Sequence, residues 1–377
     1  MERAYDADAV VVGAGPTGCA LTLDLRRRGW RVLLLDKADF PRDKPCGEGL
    51  MPSGVRRLAA LGVDLSSFPR LEGIRYRLPD GSSAGGRFRS GPGRGVRRER
   101  LDAMLADLAQ ARTGVATTGV SQDHDGVEVA TASGRLRCRT LVACDGLRSS
   151  VRAILGWERP PGANRRHAVV GHLAAERHRM AEIIVTVLEG REVYASPSGP
   201  GEMLVALLGP PGSLRAPGRS VEETYREAVE QAHPELASAP LTARLWGAGP
   251  FRTSPQTVAR GRVFLAGDAA GFIDPLTGDA MAAGLAGAAA LAQFLTADLA
   301  SAAQRYRRWY AGQWRRRRLV TALALTLTGS QRLAARALAG VSRRPAALDR
   351  LLEVNDGSRR LSQVAVADWA ALVGLSG

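Results

Sequence analysis

Short apolar runs and a helical stretch alternate at the start of the chain. Residues 9–12 are all apolar, residues 13–18 form a glycine-rich turn, residues 19–28 have a helical pattern, and residues 31–35 are again mostly apolar. Apolar runs on both sides of a helix predict a β-α-β unit, in which the two strands lie parallel. The start of the chain therefore predicts the beginning of a parallel sheet.

The periodicity changes several times further along. Helical patterns lie at 55–62, 101–111, 221–232 and 278–297 and from 302 to the end, and strand patterns lie at 74–96, with a turn at Asp80-Gly81, and at 114–142, 167–208 and 261–266. This order predicts an α/β fold with a doubly wound, Rossmann-like nucleotide-binding domain of the GR2 type, interrupted by a β-rich substrate domain and followed by C-terminal helices. The predicted ranges are 1–72, 96–165 and 256–300 for the first domain, 73–95 and 166–255 for the second, and 301–377 for the helical segment.

The net charge of +15 changes this picture little. Almost all of it comes from arginine, since Lys37 and Lys44 are the only lysines, and the arginines are spread along the chain. We therefore expect no nucleic-acid partner.

The four cysteines lack the spacing of a metal site or a disulfide framework, so we expect no metal and a reducing compartment. Without a signal-peptide pattern or an apolar run of membrane-spanning length, the expected location is the cytoplasm.

Gly13, Gly15 and Gly18 have the GxGxxG spacing between a predicted strand and a predicted helix. Glycines at this place permit a tight turn and let backbone N–H groups approach a pyrophosphate at the positive end of the helix. Asp36 ends the second strand about twenty residues on, where a carboxylate accepts hydrogen bonds from ribose hydroxyls. The motif predicts a dinucleotide site, with a glycine-rich turn and a surface aspartate as the plainer alternative.

A second glycine-rich segment lies far from the first in the chain. Gly267 and Asp268 follow a predicted buried strand, and Asp274, Pro275 and Gly278 precede a helix rich in glycine and alanine. An aspartate there can hydrogen-bond the ribityl chain of a flavin, and the helix N-terminus can stabilise the negative charge of the reduced ring. Together with the first motif, this segment favours FAD over a helix-capping role for the aspartate.

Two further motifs, VRRERLD at 96–102 and ACDG at 143–146, make the likeness specific. The whole set resembles the flavoprotein superfamily that contains p-hydroxybenzoate-hydroxylase-type monooxygenases, flavin-dependent halogenases and geranylgeranyl reductases. The resemblance extends over about residues 7–300 and is strongest in the nucleotide motifs. It implies that Arg98 and Asp145 lie beside FAD, with a solvated arginine and a helix-capping aspartate as the alternatives.

The loop KPCGEG at 44–49 narrows the resemblance. Its Cys-Gly pair is similar to the geranylgeranyl reductase branch, where the loop borders the flavin, and Gly271 stands where many aromatic hydroxylases have a histidine. A Cys46 thiol that faced the ring would be a candidate proton donor; a small residue that lets the loop pack is the alternative. Ala280 departs from the family pattern, because relatives commonly have glycine there, and its Cβ would crowd the ring.

The predicted site residues form two groups. His172, Tyr194 and Trp246 are candidates for the substrate pocket, with a structural histidine and ordinary apolar surface as the alternatives. The residues predicted to contact FAD are Gly13, Gly15, Pro16, Thr17, Gly18, Asp36, Lys37, Cys46, Gly47, Arg98, Asp145, Gly267, Asp268, Pro275, Gly278, Asp279 and Ala280.

The resemblance implies an FAD-dependent oxidoreductase that acts on a hydrophobic small molecule, with secondary metabolism as its expected setting. Our preferred interpretation is a monooxygenase that hydroxylates or epoxidises through a flavin C4a-hydroperoxide. The first alternative is a geranylgeranyl-reductase-like ene reductase of an isoprenoid or polyketide double bond. The second is a flavoprotein with structural FAD that templates a non-redox step, which the departure at Ala280 motivates.

The sequence also bears on partners. No second GxGxxG motif follows a predicted strand, so we expect NAD(P)H to act as a transient reductant, or an external reductase to supply electrons. Four consecutive arginines, 315–318, precede an apolar stretch at 319–325 in the C-terminal helix. This segment is a candidate for peripheral contact with an anionic membrane, and a solvated helix packed on the body is the alternative.

Overall fold

The structure is a computed structural model and describes residues 5–160, 166–175 and 180–375. Its strands are β1 (Ala7–Val12), β2 (Val32–Leu35), β3 (Gly49–Leu50), β4 (Arg70–Leu71), β5 (Gly73–Arg77), β6 (Ser83–Arg87), β7 (Gly93–Gly95), β8 (Thr117–Gln122), β9 (Val127–Thr131), β10 (Gly134–Ala143), β11 (His167–Ala174), β12 (Glu182–Leu188), β13 (Arg191–Gly199), β14 (Glu202–Gly209), β15 (Trp246–Ala248), β16 (Ala259–Arg260) and β17 (Val263–Leu265). Its α-helices are α1 (Pro16–Arg27), α2 (Pro52–Ala60), α3 (Arg98–Leu108), α4 (Ser150–Ile154), α5 (Pro211–Leu214), α6 (Val221–Ala232), α7 (Ala280–Ala297), α8 (Leu299–Thr328), α9 (Gln331–Arg343), α10 (Ala346–Asp356) and α11 (Val366–Leu372).

A largely parallel sheet positions the glycine-rich motifs. Its strand order is β16-β17-β10-β1-β2, and the antiparallel strands β9 and β8 extend it beside the first half of β10. Strand β1 lies between β10 and β2, both parallel to it, so that Val12 stands opposite Ala143 and Leu35. Residues 9–12 are buried, as expected for a central strand of a parallel sheet. The predicted β-α-β unit is confirmed.

The second sheet is mostly antiparallel and has two differently covered faces. Its order is β15-β11-β14-β13-β12-β5-β6, with β12 and β5 parallel. Val193 and Val205 belong to the core between this sheet and α6. Val170, Tyr194 and Ala206 point the other way, because successive side chains of a strand alternate between faces. That other face is available to line a site.

The predicted strand pattern at 74–96 is correct only in its first part. Strands β5 and β6 form the predicted hairpin, with Gly81 in the turn at a φ of 90°. Strand β7 leaves this sheet and pairs with β3 and β4 in a separate sheet of three strands. Local alternation could not reveal this, because it identifies a strand but not its partner. The predicted domain boundaries stay a prediction.

Helix α7 is the one helix of the described residues with the length and composition to cross a membrane, and half of it is buried inside the protein. It packs against α1, α2 and α8. A Cβ on Gly284 would overlap the Thr17 hydroxyl, so the small residues of α7 permit its close approach to α1.

Among the described residues, four further α-helices, α8 to α11, follow α7, as the helical pattern from 302 predicts. Asp368 holds the last of them in place. Its carboxylate is buried and accepts from Arg344 Nε at 2.5 Å and Arg350 Nη1 at 2.6 Å. Burial acts to raise the pKa of Asp368, but the two arginines outweigh it and lower that pKa.

Candidate cofactor and substrate site

A cavity of about 440 Å³ is lined by both sheets and by the loops after β1, β2, β10 and β17. This volume is in the range of small-molecule sites, about 300–1,000 Å³. Its lining includes most of the predicted site residues, namely Gly15, Pro16, Thr17, Lys37, Cys46, Gly47, Arg98, Asp145, Tyr194, Trp246, Asp268, Pro275, Gly278 and Ala280. The chain therefore brings the separate motifs together around one space.

The three glycines of the first motif have different surroundings. Gly13 has a φ of 102°, and a Cβ there would lie 2.5 Å from the Cys144 carbonyl oxygen. A Cβ on Gly18 would overlap the Gly13 carbonyl oxygen. Gly15 has extended backbone, and the nearest atom to a Cβ there is Arg98 Nη2 at 3.9 Å. The first and third glycines serve the packing of the protein itself, whereas Gly15 borders open space in the cavity.

The N-terminus of α1 faces the cavity without a side-chain cap. Its first N–H groups and the positive end of its dipole form a site suited to an anion. Asp36 does not line the cavity. It is buried behind the turn, where it accepts hydrogen bonds from the backbone N–H of Ala14 at 2.8 Å and of Ala38 at 2.9 Å. In this structure Asp36 holds the shape of the turn.

Thr17 joins the two glycine-rich motifs. A Cβ on Gly267, which has a φ of 59°, would lie 2.8 Å from Thr17 Oγ1. Gly267 lies behind the cavity wall, and its neighbour Asp268 lines the cavity. Glycine at 267 is thus needed to place the second motif directly against the start of α1.

Asp145 and Lys44 present complementary polar groups to the cavity. Oδ2 of Asp145 accepts from Ser150 Oγ and from the Val151 N–H, both at 3.1 Å, but its buried Oδ1 has no partner within the described residues. Burial lowers the pKa of the Lys44 ammonium, and the neighbouring Arg98 lowers it further. An unsatisfied buried acceptor and a desolvated cation are both groups that a polar ligand would stabilise.

Arg98 is fixed at the cavity wall by a buried carboxylate. Its Nε and Nη2 donate to Asp102 at 2.7 Å each, one helical turn further on in α3. Arg42 lies 3.4 Å from both Asp102 and Asp36, and so links α3 to the second strand. Burial acts to lower the pKa of Arg98, but Asp102 and Cys46 outweigh it and raise that pKa well above its ordinary value. Arg98 therefore stays cationic beside the cavity.

Glu48 and His172 form a buried pair at the Cys46 loop. Glu48 has a φ of 57°, which is strained for a residue with a Cβ. Its Oε1 accepts from the Arg98 N–H at 2.8 Å, and its Oε2 lies 3.0 Å from His172 Nε2. Burial raises the pKa of Glu48, and the hydrogen bond with His172 opposes that rise. His172, a predicted pocket residue, does not line the cavity; it supports the loop from behind.

Tyr194 does line the cavity, next to the same loop. Its ring lies 3.3 Å from where a Cβ of Gly47 would stand, so a larger residue at 47 would crowd it. Its hydroxyl is near Ser196 but makes no hydrogen bond of ordinary geometry with the described residues. Burial, and then the proximity of Cys46, raises the pKa of Tyr194. The phenol therefore stays protonated, with its hydroxyl buried beside the Cys46 loop and its ring in the cavity wall.

Aromatic and aliphatic groups form the wall of the cavity on the second sheet. Arg244 stacks over the Trp246 ring at 3.7 Å, and the Phe251 and Phe272 rings lie 5.6 Å apart. Further apolar lining comes from Ala168, Val170, Ala206, Leu208 and Met281. An apolar wall with few polar groups suits a hydrophobic ligand.

The segment at the start of α7 is held by α8. Gly271 has a φ of 139°, and a Cβ there would come within 2.9 Å of the Tyr310 hydroxyl and 3.0 Å of the Trp314 ring. Packing against α8 is therefore a sufficient reason for glycine at 271. Asp279 lies outside the cavity lining, where it accepts from Arg317 Nε at 2.6 Å. Ala280 follows it and lines the cavity.

Four residues that shape the site were not predicted from the sequence: Lys44, Glu48, Asp102 and Arg42. The first three lie inside the motifs at 44–49 and 96–102, so their positions carried a signal. The four-residue spacing from Arg98 to Asp102 on a predicted helix was a second signal, because residues i and i+4 face each other. Arg42 had no such marker, since its two partners lie on different elements.

The fold and the site together define a protein of the dinucleotide-binding, two-sheet class. The sequence model of the FAD binding domain family matches residues 96–324, more than half of the chain, and that of the FAD dependent oxidoreductase family matches residues 8–44. The chain belongs to the FAD binding domain family.

Curated relatives are similar over part of their length. A rifampicin monooxygenase of Streptomyces venezuelae is 30% identical over 313 residues, which cover 78% of this chain and 64% of the relative. A menaquinone reductase of Mycobacterium tuberculosis is 38% identical over 173 residues, 41% of each chain. The chain thus spans less than two thirds of the length of both relatives.

Two solved structures share the fold. The flavin-dependent brominase Bmp2 superposes with a TM-score of 0.81 at 16% identity, over 97% of both chains. A flavoprotein/dehydrogenase from Cytophaga hutchinsonii superposes with a TM-score of 0.80 at 18% identity, over 93% of this chain and 92% of that one. The two-sheet architecture is therefore that of known flavoproteins.

The cofactor of this family is FAD, and the residues present fit it. The open space at Gly15 and the uncapped α1 N-terminus suit a pyrophosphate. The unpartnered Asp145 Oδ1 can accept from a hydroxyl. Asp268, at the junction with Thr17, would hold the chain that joins the pyrophosphate to the ring.

Proposed function

We propose that this protein is an FAD-dependent monooxygenase that hydroxylates or epoxidises a hydrophobic small molecule in secondary metabolism. The observation that carries the proposal is the cavity of about 440 Å³, in which the nucleotide motifs face the apolar wall of the second sheet. A substrate bound on that wall would lie directly against the FAD that the nucleotide motifs bind. The proposed location is the cytoplasm.

The relatives support the oxygenase. They include proteins named rifampicin monooxygenase, 12-dehydrotetracycline 5-monooxygenase/anhydrotetracycline 6-monooxygenase and 3-(3-hydroxy-phenyl)propionate/3-hydroxycinnamic acid hydroxylase. An oxygenase also needs no protein nucleophile, because the cofactor carries the reactive chemistry.

The residues of the chain perform the binding, and FAD supplies the redox chemistry when bound. Gly15 and the α1 N-terminus hold the nucleotide. The apolar wall orients the substrate and excludes water, which would otherwise compete in the reaction. The Tyr194 ring forms part of that wall. Arg98 keeps a fixed positive charge at the same wall.

Rapid mixing of the anaerobically reduced holoprotein with oxygenated buffer, followed by flavin absorbance, tests the oxygenase. We expect a transient species that precedes the oxidised spectrum and lasts longer in the presence of a hydrophobic aromatic probe. A direct return to the oxidised spectrum, with and without probes, would count against the oxygenase and favour a reductase.

Electrons for this cycle come from outside the FAD site. We propose NAD(P)H as a transient reductant, with an external reductase as the alternative. Anaerobic titration of the holoprotein with NADH and NADPH distinguishes them. Bleaching of the flavin by either nucleotide supports direct reduction, and an unchanged spectrum supports a separate reductase.

A second candidate, an ene reductase, is less favoured than the oxygenase and rests on two observations. Cys46 lines the cavity beside Tyr194, and the chain is 38% identical to a menaquinone reductase over 173 residues. If the Cys46 thiol donates the proton, a general acid is lost in Cys46→Ala, and turnover falls about 100-fold or more. Cys138→Ala, in the core of the first sheet, is the matched control. Equal turnover of the two variants would remove the thiol from the mechanism.

A further inference from the structure

Positive charge is concentrated in one part of the chain. Residues 299–348 contain 11 arginines and neither aspartate nor glutamate, so this stretch contributes 11 of the 15 net positive charges. Elsewhere arginines and acidic residues are interspersed and often paired, as in Arg75 with Glu182 and Arg135 with Glu128. Arg317 and Arg344 pair with Asp279 and Asp368 outside the stretch, but the stretch keeps an excess of positive charge, which produces a positive local potential.

Helix α8 presents part of this charge on a single exposed stripe. Arg308, Arg315, Leu319 and Ala322 are exposed and follow one another at the spacing of a helical face. Arg318 borders them, and the stripe runs from 304 to 326, about 33 Å at 1.5 Å per residue. Leu319 is 60% exposed in the middle of the stripe. Within the described chain, Arg308, Arg315 and Arg318 form no ion pair with an acidic side chain.

The opposite face of α8 is the one that the fold uses. Tyr306 and Tyr310 donate to the carbonyl oxygens of Leu265 and Ala270, and Arg317 pairs with Asp279. The stripe residues make no such contacts, so the fold does not account for them.

We propose that the α8 stripe binds an anionic lipid surface. Guanidinium groups bind phosphate oxygens through paired N–H donors. A basic helix with an exposed leucine is suited to lie along the headgroups with its apolar residues below them. The aromatic side chains of the helix do not take part, because Trp309 and Trp314 stack on Tyr306 and Tyr310. A single-stranded nucleic acid would need such rings exposed for base stacking.

Docking in this orientation has a geometric consequence. The inner face of α8 contacts Ala270 and Asp279, which adjoin the cavity residues Asp268 and Ala280. Helix α8, about 10 Å thick, would therefore lie between the lipid surface and the segments that carry these cavity residues. The docking itself does not depend on the reaction proposed above.

Cosedimentation of the full-length protein with vesicles tests the proposal. The two vesicle types are pure phosphatidylcholine and phosphatidylcholine with about 30 mol % phosphatidylglycerol, since an arginine near an anionic surface is worth about 1 kcal/mol, or about five-fold in partitioning. We expect binding to the anionic vesicles only, and its loss at about 500 mM salt. The triple variant R308Q/R315Q/R318Q should bind about 100-fold more weakly.

The matched control removes the same charge elsewhere, in the triple variant R28Q/R87Q/R112Q, whose three exposed side chains lie at the end of α1, on β6 and after α3. It should stay within about five-fold of the unmodified protein. If the α8 triple variant fails to fold, as judged by circular dichroism, Leu319→Glu replaces it and should also abolish binding.

Three results would overturn the proposal: equal binding to both vesicle types, equal binding of the two triple variants, or no vesicle binding at all. Stripe-dependent binding of polyglutamate or RNA without vesicle binding would assign the stripe to an acidic macromolecule instead.

Discussion

The Gly15→Ala substitution separates cofactor binding from folding. Gly15 has extended backbone that alanine adopts without strain, and the nearest atom to the new Cβ is Arg98 Nη2 at 3.9 Å. We therefore expect the free energy of unfolding of the apoprotein to change by less than about 1 kcal/mol. The same methyl group stands where the backbone must approach the pyrophosphate. We expect the Kd for FAD to rise at least about 100-fold, or about 2.7 kcal/mol.

The assay has two readouts on the same sample. Apoprotein is titrated with FAD by flavin fluorescence to give the Kd, and its thermal unfolding is recorded without FAD. Gly18→Ala is the contrasting variant, because its Cβ overlaps the Gly13 carbonyl oxygen. That overlap is internal to the protein, so we expect the apoprotein itself to lose about 1–3 kcal/mol of stability.

Two results would refute this reasoning. If Gly15→Ala binds FAD within about three-fold of the unmodified protein, the pyrophosphate does not approach Gly15 and the cofactor assignment fails. If Gly15→Ala destabilises the apoprotein as much as Gly18→Ala does, the open space at Gly15 is not a feature of the protein in solution.

Three further predictions concern the cofactor, the Cys46 loop and the C-terminal helices. Asp268→Ala should lower the FAD content of the purified protein without lowering the unfolding temperature of the apoprotein; full flavin content would contradict its assignment. His172→Ala leaves Glu48 buried without its partner, and should cost about 3 kcal/mol in urea unfolding, against less than about 0.5 kcal/mol for the exposed His124→Ala. Because the pKa of Asp368 is lowered in the folded protein, its stabilising contribution is present above the ordinary Asp pKa of about 3.9 and is lost as the pH falls below it. The unfolding temperature of the unmodified protein should therefore fall more steeply between about pH 5 and 3 than the unfolding temperature of Asp368→Asn. Parallel curves for the two proteins would contradict this stabilising role of Asp368.

The elements around the glycine motifs were the most predictable part of the fold. Their signals are local, because a strand, a glycine turn and a helix follow one another within residues 9–35. Helix α6, predicted at 221–232, is observed over those same residues. Helix α3 was predicted at 101–111 but spans 98–108, since Gln110, with a φ of 48°, ends it earlier than the apolar pattern suggests.

The composition of the candidate site was predictable where a backbone motif marked it, and not where side chains meet by tertiary contact. Tyr194 and Trp246 carried no motif, and only Tyr194 lies in a predicted strand pattern, yet both line the cavity as predicted. His172 was predicted as a pocket residue in the same way, and it lies on the same face of β11 as the cavity residue Val170. Its position behind Glu48 depends on the strained loop at φ 57°, which no sequence pattern encodes.

The interleaving of the two sheets bears on the order in which a ribosome can complete this protein. Val12 pairs with Ala143, and Ala143 pairs in turn with Leu265. At about 5–20 residues per second, roughly 10–50 seconds pass between the emergence of the first and last of these partners. Throughout that interval the apolar edge of a nascent parallel strand stays unpaired, and it can pair with another chain and start aggregation. Overproduction of the protein should therefore benefit from slower translation or a chaperone, and added FAD can help only after the last third of the chain has been made.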